Sequence, residues 1–164
     1  MNRIFVSAIL VICLFCLVGC DQVTKGIARH ELGAGESIAL IGGFVRLTYA
    51  ENPGTFMGLG AELDDIWRWS IYIGSSVVVL ISLVLVFLYA DHLDRALTIG
   101  LLLILSGAVG NLADRFMNQG RVIDFIVLGL GGLHTGVFNV ADVFITVGVV
   151  LFLVGSRQQA WRAT

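Results

Sequence analysis

The chain has 164 residues, 57% of them hydrophobic and only 13% charged, with a mean hydropathy of +0.93. That is a membrane composition, and the length leaves room for one integral domain, residues 1–164. A net charge of -2 without any basic run excludes a nucleic-acid partner, and Cys13, Cys16 and Cys20 all fall in the first apolar segment, so they cannot staple loops.

Residues 4–20, IFVSAILVICLFCLVGC, are uncharged and predict a first spanning helix. Its end, Leu17-Val18-Gly19-Cys20, also has the form of a lipobox, in which Cys20 would be lipidated and everything before it removed. Three more membrane-length segments follow, which favours an uncleaved helix. The three cysteines share one helical face and are expected to pack against a neighbouring helix; a C-x-x-C metal or redox site would lack further ligands. Asp21-Gln22-Val23-Thr24-Lys25 is expected to be the helix end, with Asp21 and Lys25 four apart and able to pair.

The period then changes. Ile38 and Leu40 alternate, Gly42-Gly43 suits a two-residue turn, and Val45, Leu47 and Tyr49 alternate again, so a small surface hairpin is predicted in a β region of about 36–57. Asn52-Pro53-Gly54 is a turn; Asn52 either makes that turn or uses its donor and acceptor atoms to grip a peptide. Glu62, Asp64 and Asp65 form an acidic patch, and Trp67 and Trp69 an interfacial belt. Spans are expected at 69–90, 96–113 and 141–156, giving four in all. Gly107 and Gly110 allow close packing in the third, and Asn111 and Arg115, at i and i+4, point to one side. Arg115 either snorkels to the headgroups or faces a cavity. His30, His92 and His134 show no ligand spacing.

Four spans place both termini on one side of the membrane. Arg3, Arg95, Arg157 and Arg162 would lie with them, against Lys25, Arg29, Arg46, Arg68, Arg115 and Arg121 opposite, so the loop charges taken alone favour termini outside.

Residues 121–142, RVIDFIVLGLGGLHTGVFNVAD, hold two acids, Asp124 and Asp142, in apolar surroundings on either side of a Gly-rich connection. Asp142 alone suits a helix N-cap. Two acids at membrane depth usually pair or mark a pathway. Brought together with Asn52, Asn111, Arg115 and Asn139 around them, they would share a proton, so that one activates water while the other polarises a peptide carbonyl. The sole lysine, Lys25, lies in the helix-end pentad, and no H-E-x-x-H motif is present for zinc. A charge-conducting helix bundle is the alternative from another class, though it leaves the asparagines and the hairpin without a role.

DQVTK at 21–25, the turn at 52–54, GNLADR at 110–115, VIDF at 122–125 and FNVAD at 138–142 resemble, in order, the five motifs of the lipoprotein signal peptidase (signal peptidase II) family. The resemblance implies a mainly α membrane protein of four transmembrane helices with a small periplasmic β-hairpin or sheet. It also implies an aspartic endopeptidase of the bacterial inner membrane that cuts prolipoproteins before a diacylglyceryl-modified cysteine, without metal or cofactor; a monomer is expected. Position by position, Asp124 and Asp142 match the catalytic pair. Asn52, Gly54, Asn111, Arg115 and Asn139 match the substrate pocket, and Asp21 and Lys25 match residues that organise the end of the first helix. The active site would face the periplasm and the termini the cytoplasm, against the charge count. After the turn, Thr55 is followed by Phe56 and Met57, placing the aromatic one position earlier than the family pattern. The Gly129-Leu130-Gly131-Gly132 segment is expected to close over the peptide as a loop.

Overall fold

The computed structural model of the protein describes residues 3–33, 36–54, 64–89, 94–130 and 132–162. Within them, helices α1 (Arg3–Glu31), α2 (Asp65–Tyr89), α3 (Arg95–Met117) and α4 (Val140–Arg162) each contain a stretch long and apolar enough to cross a membrane. Strands β1 (Ser37–Leu40), β2 (Val45–Asn52), β3 (Val122–Leu130) and β4 (Leu133–His134) form one antiparallel sheet in that order.

α3 is the central helix, packed along α4 and flanked by α1 and α2. Small residues permit the approach. A side chain on Gly107 would collide with the Ala141 carbonyl, and one on Gly100 with the backbone of Gly148 and Phe152. Gly110, also expected to pack closely, faces the Asp21 carboxylate of α1.

Helices α1, α3 and α4 extend past their predicted bounds at both ends, and α2 starts earlier than predicted, at Asp65. Hydropathy marks the part of a helix that suits lipid, whereas the helix itself continues as long as its polar residues find partners. α1 runs 29 residues, roughly 44 Å at 1.5 Å per residue against a hydrocarbon core of about 30 Å, so its last turns project from the membrane. There Ala28, with Leu32 just beyond the helix, packs on Phe125 of β3, with Leu47 and Tyr49 of β2 alongside. Asp21 and Lys25, expected at a helix end, are mid-helix and fully buried. α3 likewise continues through Asn111, Asp114 and Arg115 to Met117, and α4 reaches Arg162.

The hairpin of β1 and β2 is as predicted, in register Ser37↔Thr48 to Leu40↔Val45. Its connection is longer than Gly42-Gly43, a 3₁₀ turn at Ile41–Gly43 followed by Phe44. The expected Gly-rich connection contains a strand, β3, which pairs with β2 from Asn52↔Val122 to Val45↔Leu128. Val122, Ile123, Asp124 and Phe125 are buried on both faces, so the alternation that betrays a half-exposed strand is absent. Gly129 and Leu130 belong to β3 and pair with His134 and Leu133, a strand hairpin in place of a free loop; Gly131 lies outside the described residues.

Cys16 and Cys20 are exposed and Cys13 half-exposed, so the cysteine face looks outward and is not packed on a neighbouring helix. Trp67 and Trp69 lie exposed at the start of α2, as a belt requires. His30 and His134 are at the surface. Glu62, His92 and the Thr55-Phe56-Met57 departure fall outside the described residues.

Candidate active site

Asp124 enters from the third position of β3, where the pairing with β2 shifts register between Leu47 and Ala50 and places Ala50 opposite the acid. Such irregularities re-aim side chains. Asp142 lies in the first turn of α4, but Asn139, not Asp142, caps the helix. The Asp142 N–H donates to Asn139 Oδ1 at 3.0 Å, and the Asn139 N–H donates to Asp142 Oδ2 at 3.1 Å, a reciprocal capping box.

Three asparagines aim their amide N–H groups at the two acids. Asn52 Nδ2 donates to Asp124 Oδ2 at 3.0 Å, Asn139 Nδ2 to Asp124 Oδ1 at 2.6 Å, and Asn111 Nδ2 to Asp142 Oδ1 at 2.9 Å. Each amide is oriented by a group that can only donate to its oxygen. Gly54 N–H holds Asn52 Oδ1 at 2.9 Å, Lys25 Nζ holds Asn111 Oδ1 at 2.9 Å, and Asp142 N–H holds Asn139 Oδ1. Gly54 serves through this turn. Its φ is 88°, and a Cβ there would meet the Tyr72 ring at 2.9 Å, so both backbone and space demand glycine.

Arg115 faces the acids. It is half-buried, donates from Nη1 to the Asn111 carbonyl at 3.2 Å, and lies within electrostatic reach of Asp142, Asp114, Asp124 and Tyr72. Its Nε is buried with no partner among the described residues. Asn111 and Arg115 border a cavity of about 240 Å³ between α2, α3 and α4, whose other walls include Ser76, Val79, Ala108 and Ile145.

Behind the asparagines lies a buried ion cluster. Lys25 Nζ is 2.8 Å from Asp21 Oδ2 and 2.9 Å from Asp114 Oδ2, and its third N–H is the one given to Asn111. Asp21 Oδ1 accepts the Ala141 N–H at 2.8 Å, tying α1 to the first turn of α4, and Asp114 Oδ2 accepts the Ile123 N–H at 3.1 Å, tying α3 to β3. Gln22 Nε2 donates to Asp114 Oδ1 at 3.0 Å and to the Gly110 carbonyl at 3.1 Å. Neither Asp114 nor Gln22 stands out as a site residue in the sequence. The available signal is hydrogen bonding: the ammonium of a lysine buried in an apolar helix has three N–H groups to satisfy, Asp21 takes one, and Asp114 sits three residues from Asn111.

Burial, above all, pushes the Asp124 carboxyl up to about 6; the Asn52 donor opposes the rise, the Asp142 charge adds to it, and the Asn139 donor opposes it. Among the described residues no three His, Cys, Asp or Glu side chains are grouped to hold a metal. The arrangement can hold a water between the two acids, beside a cation and an apolar cavity.

A family model described as signal peptidase (SPase) II matches residues 12–157. The chain is 39% identical over 137 residues to a lipoprotein signal peptidase of Desulforapulum autotrophicum, covering 84% of each chain. It is 30% identical over 154 residues to one of Maridesulfovibrio salexigens, covering 94% of this chain and 96% of the relative. A solved structure described as a bacterial membrane enzyme superposes with a TM-score of 0.82 at 27% identity, covering 96% of this chain and 92% of that one.

Proposed function

Because this chain belongs to the signal peptidase II family, multi-pass membrane proteases that remove signal peptides from prolipoproteins, we propose that Asp124 and Asp142 are its catalytic pair, cutting before a diacylglyceryl-modified cysteine. The observation that carries this reading is the set of three oriented asparagines, which hold the two carboxyls at one end of the bundle.

One carboxylate takes a proton from water as the oxygen attacks the scissile carbonyl carbon. The protonated partner stabilises the developing oxyanion. Collapse of the tetrahedral intermediate breaks the C–N bond, and the leaving amine takes up a proton from the pair. Arg115 and Asn111 hold the substrate backbone at the cavity mouth, and the apolar walls of Val79, Ala108 and Ile145 accept an acyl chain. The sheet end of the bundle lies at the periplasmic face, where a lipid-anchored substrate is confined in depth, and the termini are cytoplasmic.

The test is cleavage of a diacylglyceryl-modified prolipopeptide by the detergent-purified protein. Asp124→Asn and Asp142→Asn should each abolish the cut before the modified cysteine while leaving the protein cooperatively folded. Turnover retained in either variant would remove that acid from the pair.

A further inference from the structure

The two carboxyls of the dyad are held differently. Asp124 sits in a strand, 2% exposed, against two neutral amides. One of these, Asn139 Nδ2, shares its two protons among Asp124, Asn111 Oδ1 and the Ile123 carbonyl. Asp142 is half-buried in the first turn of α4, where the positive end of the helix favours an anion. Its Oδ2 takes a backbone N–H, and its Oδ1 takes the amide of Asn111, whose own oxygen is gripped by an ammonium.

That last contact has no freedom. Lys25 carries three protons and no lone pair, and Asp21, Asp114 and Asn111 each receive one. The Asn111 atom facing Lys25 must be oxygen, so the atom facing Asp142 must be N–H. Chains of hydrogen bonds polarise one another in a low dielectric, so the ammonium strengthens that N–H as a donor. We infer that Lys25 is a positioning residue which, acting through Asn111, keeps Asp142 as the carboxylate of the dyad and leaves the shared proton to Asp124. Asp142 is then the base that deprotonates water, and Asp124 the acid. Among the described residues, Arg115 on α3 lies within electrostatic reach of both acids and of Tyr72 on α2, the charge of Lys25 also reaches Asp124, and Asp21 on α1 and Asp114 on α3 pair with that lysine.

The inference rests on the dyad reading, and the experiment separates the two. The acid limb of the kcat/KM pH profile for lipopeptide cleavage reports protonation of the carboxylate. Asn111→Leu, which leaves the Lys25 ion pairs in place, should raise that limb by about 1 pH unit, a tenfold loss of rate below it. Lys25→Met would strand two buried carboxylates, so it is combined with Asp21→Asn, which leaves the net charge of the cluster unchanged. This pair should raise the limb as much, and adding Asn111→Leu to it should raise it no further. A limb that stays in place in Asn111→Leu overturns the inference, as do additive shifts in the combined variant. A lower melting temperature with an unmoved limb would mean a structural role only. If Asp142→Asn still cleaves, the dyad reading itself has failed; if it is inactive while the limbs stay fixed, only the role of Lys25 and Asn111 has.

Discussion

Asn139 stands between the two acids, donating its backbone N–H to Asp142 Oδ2 at 3.1 Å and its side-chain N–H to Asp124 Oδ1 at 2.6 Å. It is at once the cap of α4 and the bridge of the dyad. Asn139→Ala should therefore lower cleavage at least a hundredfold, and should cost about 1 kcal/mol of stability as a lost cap. Steady-state cleavage alongside thermal unfolding in detergent checks both; full activity with the stability loss alone would reduce Asn139 to a cap.

The raised proton affinity of Asp124 links folding to pH. Unfolded, its carboxyl titrates near 3.8; folded, it titrates at about 6. The folded state thus binds more protons across that window, and its stability falls as pH rises from about 4 to above 6. Asp124→Asn removes the charged form and should melt higher than wild type at pH 8 by a few degrees, with no advantage at pH 4. Melting curves at the two pH values test the sign. Deprotonation of Asp124 should also set the alkaline limb of kcat/KM near 6 in the free enzyme.

Asp114 joins three elements, taking Lys25, Gln22 and the Ile123 N–H. Asp114→Ala leaves a buried backbone donor without its acceptor and a lysine with one acid fewer, a loss of roughly 3 kcal/mol or more. We expect a lower melting temperature and, because β3 is released beside Asp124, lost cleavage. Unchanged melting would mean that water or another side chain replaces the carboxylate.

A methyl group on Gly107 would meet the Ala141 carbonyl, one residue before Asp142. Gly107→Ala should push the first turn of α4 away from α3 and break the 2.9 Å bond between Asn111 and Asp142. Cleavage should fall at least tenfold. Gly19→Ala, where nothing lies near an added Cβ, is the control and should leave the rate unchanged.

Arg115→Ala should raise KM and lower kcat/KM ten- to a hundredfold with little change in melting temperature, since its Nε has no partner to lose among the described residues. Wild-type kinetics would exclude it from the site.

Much of this was written in residue type and order. Uncharged runs of membrane length determined four spanning helices, alternation at 38–49 determined the β1–β2 hairpin, and acids in apolar surroundings marked Asp124 and Asp142. What the sequence by itself could not determine depends on contacts between distant segments. β3 shows no period where Val122–Phe125 are buried on both faces, and the DQVTK pentad resembles a solvated helix end until Asp114, some ninety residues on, takes a second N–H of Lys25. The orientation of each asparagine amide was decided only in the tertiary structure, by the single donor-only group packed against its oxygen. A local sequence records that an amide is present; three-dimensional packing decides which of its two ends meets the acid.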